Sequence, residues 1–140
     1  MSLKGTFSLV PGGASAGHVE ARLILTNSGT SPCHMFGYVG MQLLDSSGAP
    51  LPTNVVRVPG TEQDVTVAPG ASASALAQFS PDVSSNGDSP TPPCQPEATK
   101  TEVTPPDDTQ FLVVPGPNSS VCGGGTIQIQ PLEAYTGSGQ

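Results

Sequence analysis

The strongest constraint on this chain is an alternation of apolar and polar residues at a period of two. In "HVEARLILT", Val19, Ala21, Leu23 and Leu25 share one face, while His18, Glu20, Arg22 and Thr26 take the other. That is the pattern of a strand with one side in a core and the other in water. "TIQIQ" puts Ile127 and Ile129 inward against Thr126, Gln128 and Gln130. Shorter runs repeat the pattern at Phe7 and Leu9, Met41 and Leu43, Val65 and Val67, and Phe111 and Val113. Turn formers close each run: "PGGASAG", "DSSGAP", "APGA", "PPDD" and "VPGPN". No stretch sustains the three-to-four spacing of an amphipathic helix. "ASASALAQF" is rich in alanine, a helix former, yet Ala71, Ala73, Ala75, Ala77 and Phe79 alternate with polar residues after a Pro69-Gly70 turn. It reads as a strand packed closely against its neighbour.

Eight or nine short strands at hairpin spacing predict an all-β antiparallel β-sandwich, one domain over residues 1–140. The stretch 80–96, "SPDVSSNGDSPTPPCQP", is too polar and proline-rich for a strand and reads as a long loop. Residues 133–140 read as a flexible tail, and residues 1–3 as an expression-vector start joined to a trimmed mature segment. Gly 17 and Pro 16 in 140 residues bring the chain close to the composition of disordered segments. Only 11% of residues are charged, however, so self-repulsion does not oppose folding.

Charge excludes several partners. The net charge is −7, and Lys4, Arg22, Arg57 and Lys100 are the four cations. Four scattered positive charges cannot neutralise a run of phosphates, which argues against nucleic acid and against an anionic membrane surface. No apolar run is long enough to be a transmembrane segment. "MSLKGTF" lacks the regions of a signal peptide. Three cysteines without CxxC spacing, in a chain rich in Gly, Pro, Ser and Thr, point to disulfides and an exported protein. An odd count leaves at least one cysteine unpartnered.

Several motifs carry chemistry elsewhere and are weak here. "GASAG" at residues 13–17 matches the serine-hydrolase pattern around Ser15, but that chemistry requires a following helix and a later acid and histidine. A strand follows, and the last histidine is His34. "DVSSNGD" sets Asp82, Ser84, Asn86 and Gly87 in calcium-loop positions, but Pro93 stands where the closing glutamate belongs. Acids such as Glu20, Asp45, Asp107 and Asp108 fall in turns or on outward faces rather than converging for acid–base work. Asn118 begins an N-glycosylation sequon, "NSS". In "PCHMFGYVGM", Cys33, His34, Met35 and Met41 are soft donors, and export favours copper as the metal to consider. A disulfide-bonded Cys33 would leave only His34, Met35 and Met41, and methionines more often fill cores. These three are the metal-ligand candidates; no cofactor and no catalytic residue is expected.

Taken in order, "LILTNSGTSPCHMFGYVGMQLLDSSGAPLP", "VTVAPGASASALAQFS", "CQPEATKTEVTPPDDT" and "VCGGGTIQIQPL" resemble the actinobacterial domain of unknown function 4232 family over nearly the whole chain. The resemblance implies an immunoglobulin-like β-sandwich that is secreted or lipid-anchored at the cell envelope. It brings no reaction, cofactor or catalytic residue. Residues and resemblance together favour a non-catalytic, envelope-associated interaction domain whose partner is a protein or envelope component. A small-molecule or copper carrier comes second and a hydrolase third.

Two cysteine expectations follow. Cys94 enters the strand around "TKTEV" and Cys122 enters "TIQIQ", so a Cys94–Cys122 disulfide would tie the long loop to the sandwich. Cys33 is read as a structural corner, unpaired in this chain. If "TFSLV" and "HVEARLILT" form a hairpin, a cysteine shortly before Leu3 would come within bonding distance of Cys33. The resemblance places a fourth cysteine there, beside an N-terminal lipid anchor in the full-length protein.

Overall fold

The structure, a computed structural model, describes residues 2–10, 17–85, 87–106 and 108–136. Among these residues are eleven strands: β1 (Leu3–Leu9), β2 (Val19–Asn27), β3 (Cys33–Phe36), β4 (Gly40–Leu44), β5 (Asn54–Arg57), β6 (Asp64–Val67), β7 (Ser72–Phe79), β8 (Ala98–Thr104), β9 (Leu112–Ser119), β10 (Thr126–Ile129) and β11 (Glu133–Tyr135). The one helical segment is a tight turn, Cys122–Gly125, whose Gly123 and Gly124 have left-handed dihedrals.

One layer is the sheet β1-β2-β7-β10-β5, with β11 extending it along β7. The other layer comprises β4-β8-β9 and the pair β3-β6. All pairings are antiparallel except β10 with β5. The chain is thus an all-β sandwich, and the alternation explains its core. Ala21, Leu23 and Leu25 from β2, Ala73, Ala75, Ala77 and Phe79 from β7, and Ile127 and Ile129 from β10 are all buried. They meet Met35, Val65, Val67, Val103 and Val114 from the opposite layer in one cluster. The alanines of β7 let the layers approach closely, as a strand reading of "ASASALAQF" requires. Gly5 does the same on β1, where an added Cβ would strike the Val114 side chain.

The start of β1 does lie beside the end of β2, with Leu3 opposite Asn27 and Ser28 N–H donating to the Ser2 carbonyl at 2.8 Å. Asn27, 1% exposed, ties this end to the other layer. Its Nδ2 donates to the Ser31 and Val67 carbonyls, and its Oδ1 accepts from Gly29 N–H. Every polar atom of the buried amide is thereby engaged, as burial demands.

Four expectations need correction. The described residues form eleven strands rather than eight or nine, because β3 and β5 set apolar residues side by side (Met35-Phe36, Val55-Val56) and β11 is only three residues long. Glu133–Tyr135 are not tail but pair with Ser72–Ser74 of β7. Phe111 and Val113 face solvent at 55% and 51% exposure, while Val114 is buried and Leu112 packs on the core. "FLVV" is continuously apolar, so alternation could not select its phase. Leu9, expected inward, is 67% exposed at the end of β1.

Candidate functional site

The loop that leaves β7 is fastened to the turn ahead of β10. Two devices hold it there. The first is the Cys94–Cys122 disulfide, which links the loop to the turn ahead of β10 with a Cα–Cα distance of 5.6 Å. The second is Asp88. Its carboxylate accepts hydrogen bonds from the backbone N–H groups of Ser85 (2.8 Å), Gly123 (2.6 Å) and Gly124 (2.9 Å) and from the Gln95 side-chain amide (2.9 Å). The Gly123 and Gly124 N–H groups converge on this carboxylate because the backbone there turns left-handed, which glycine permits at low cost. Gly123 and Gly124 have φ of 71° and 66°. Desolvation works against the charged form of Asp88. The hydrogen bonds from Gln95, Gly124, Gly123 and Ser85 outweigh it and hold the carboxyl well below the usual carboxylate range. Gly125 closes the turn against the Pro52 carbonyl so tightly that no Cβ fits.

Between this loop and the sheet lies a cleft of about 480 Å³. Its lining includes Phe79 and Val83 as apolar walls, with Gln78, Gln128, Thr126 and His18 from the sheet and Ser80 and Ser85 from the loop. The sheet register explains the grouping. Gln78 is directly opposite Gln128 on β10 and Glu20 on β2, and Gln128 is opposite Val56 on β5, so one row crosses the outer face. Gly17, with φ of 78°, leaves the room that Val83 occupies; a Cβ there would stand 3.0 Å from the valine methyl. His18 makes no side-chain hydrogen bond to Ser80 or Ser85 among the described residues, and Ser80 Oγ instead accepts from Val83 N–H.

The soft donors of the third strand do not form a set. His34 is exposed with Nδ1 3.0 Å from Thr66 Oγ1, whereas Met35, one residue on, points into the core at 1% exposure. Met41 lies on β4 in a different sheet and packs partly buried against the core. Cys33 is a free thiol, 2% exposed and opposite Val67. It opens β3 directly after the turn that follows β2. The one group of three metal-type donors among the described residues is Asp88, Cys94 and Cys122. Two of these are joined to each other and the third is fully engaged, so the group has no ligand atoms to spare. Of the calcium-loop positions, Asn86 lies outside the described residues. So do Ser15 and Asp107. Asp45 and Asp108 organise turns: Asp45 accepts from Ser47 and Ala49, and Asp108 from Thr109 and Gln110.

The sequence matches one family model, Domain of unknown function (DUF4232), over residues 2–133. The chain belongs to the DUF4232 family. No curated protein and no solved structure matches it. In this DUF4232 domain no described helix is long and apolar enough to cross a membrane. Sequence reasoning found the cysteines but missed the cleft, because Gln78, Gln128 and Val83 come together only through register and loop folding. The run "CGGG" after a cysteine was a usable signal for the glycine turn.

Proposed function

We propose that this DUF4232 domain is a non-catalytic, extracytoplasmic binding module of the cell envelope, and that it binds through the cleft under loop 80–96. The supporting observation is the cleft itself. Its volume, about 480 Å³, falls in the range of small-molecule sites, and its apolar walls carry a few polar groups around them, as such sites do. Among the described lining residues, His18 makes no side-chain hydrogen bond to Ser80 or Ser85, the contact that nucleophilic catalysis would use. The disulfide that holds the loop favours an oxidising compartment. A small-molecule carrier would use the same cleft.

The test is a panel of small uncharged and charged molecules titrated into labelled protein and followed by NMR. Binding should move the resonances of Val83, Thr126 and Gln128 together. Shifts confined to other surfaces, or none with any member of the panel, would overturn the reading. Turnover of ester, peptide or phosphate substrates that Ser15→Ala abolishes would overturn its non-catalytic part.

A further inference from the structure

We infer that the ligand of this cleft is uncharged and carries two amide groups beside an apolar side chain, the chemistry of a short peptide link; the inference rests on the cleft being a binding site. The carriers are Gln78 and Gln128. They are register partners on β7 and β10, both line the cleft, and neither side-chain amide hydrogen-bonds to any described residue. Each offers a carbonyl acceptor and an NH₂ donor. Two primary amides side by side are complementary to two peptide groups, which present the same donor and acceptor in reverse. Val83, 54% exposed, supplies an apolar wall next to them.

Charge narrows the class. His18 is the one ionisable side chain among the described lining residues, because Cys122 is in the disulfide. The Gly123 and Gly124 N–H groups, which would otherwise attract an anion, are already taken by Asp88. A net charge of −7 opposes anions further. Among the described residues no carboxylate lines the cleft to hold a cation, since Glu20, the next residue in the row, lies outside the lining. An ammonium or carboxylate would give up its hydration without a partner, which disfavours both.

The probe is N-acetyl-leucine N-methylamide, which has two amides, one apolar side chain and no charge. It should shift the side-chain NH₂ resonances of Gln78 and Gln128 and the Val83 methyls, while free leucine does not. Gln78→Ala and Gln128→Ala, both on the outer face of the sheet, should each weaken binding about fivefold, the effect of one lost hydrogen bond. N-acetyl-leucine methyl ester, which replaces one amide N–H with oxygen, should bind the unaltered protein about fivefold more weakly than the amide. This arm needs no variant to fold. Equal affinity for amide and ester, unchanged affinity in both glutamine variants, or binding of methyl glucoside in place of the blocked amino acid would overturn the assignment. If other molecules of the panel still occupy the cleft, the binding reading survives and only the ligand class falls.

Discussion

The centre of the first sheet and the turn at Cys122–Gly125 are held by opposite means. Along β2 and β7, Leu23, Leu25, Ala73 and Ala75 are wholly buried, and stability there comes from apolar area removed from water. At the turn, Gly123, Gly124 and Asp88 bury little apolar surface, and a carboxylate, four donors and one covalent bond do the holding. Burial is non-directional and tolerates small shifts, whereas the turn depends on a few atoms placed within tenths of an ångström. The domain therefore has a robust core and a separately fastened loop, and the cleft lies along the seam between them.

That contrast can be broken from either side. Leu23→Ala, fully buried on a sheet that cannot collapse around the gap, should cost about 4 kcal/mol and lower the urea midpoint without altering the cleft residues' hydrogen-bonding chemistry. A loss below about 1 kcal/mol would mean the core is looser than described. Removing the disulfide as Cys94→Ala with Cys122→Ala opens a loop spanning 28 residues, for which chain entropy gives about 3.5 kcal/mol. Proteolysis should then cut within 80–96 before the sandwich unfolds. If the loop stays as protected as before, the turn is held without the covalent bond.

Asp88→Asn should have a smaller effect, and one that depends on pH. The carboxyl of Asp88 is lowered from 3.8 in the folded state, so its contribution is present above that pH and is lost as the pH falls below it. The difference in melting temperature between wild type and Asp88→Asn should therefore be constant near neutrality and shrink below about pH 4. A difference that persists undiminished at pH 2 would show that charge is not what Asp88 supplies. Smallest is Cys33→Ala, where one buried sulfur is removed from the core at about 1 kcal/mol. Its thiol should resist alkylation in the native protein and react on unfolding. Rapid native labelling would place Cys33 at the surface.

The two regions also differ in how far the sequence reveals them. The inward faces of β2, β7 and β10 follow from alternation alone, because residues two apart in a strand share a side whatever the strand pairs with. The same rule fails for "FLVV", where every residue is apolar and only the partner β8 and the facing β1 decide that Val114 goes in and Val113 out. It also cannot see β11, three residues long and specified by β7 rather than by its own pattern. Cysteine positions suggested which end of the loop would be pinned, but nothing local to "NGD" and "CGGG" places Asp88 against glycines 35 and 36 residues away.

What the amino-acid sequence determined by itself is therefore what short-range physics fixes: strands rather than helices, and the inward faces of β2, β7 and β10, where polar residues alternate. What only the tertiary structure decided is everything that depends on which strands become neighbours. The row Val56–Gln128–Gln78–Glu20 joins four segments, and the cleft at its centre also needs Val83 and Ser85 of the loop beside Gln78 and Gln128. The physical reason is range: a strand's pleat is set by adjacent residues, whereas register, layer pairing and the seat of Asp88 are set by contacts between segments far apart in the chain, on which a local pattern carries no information.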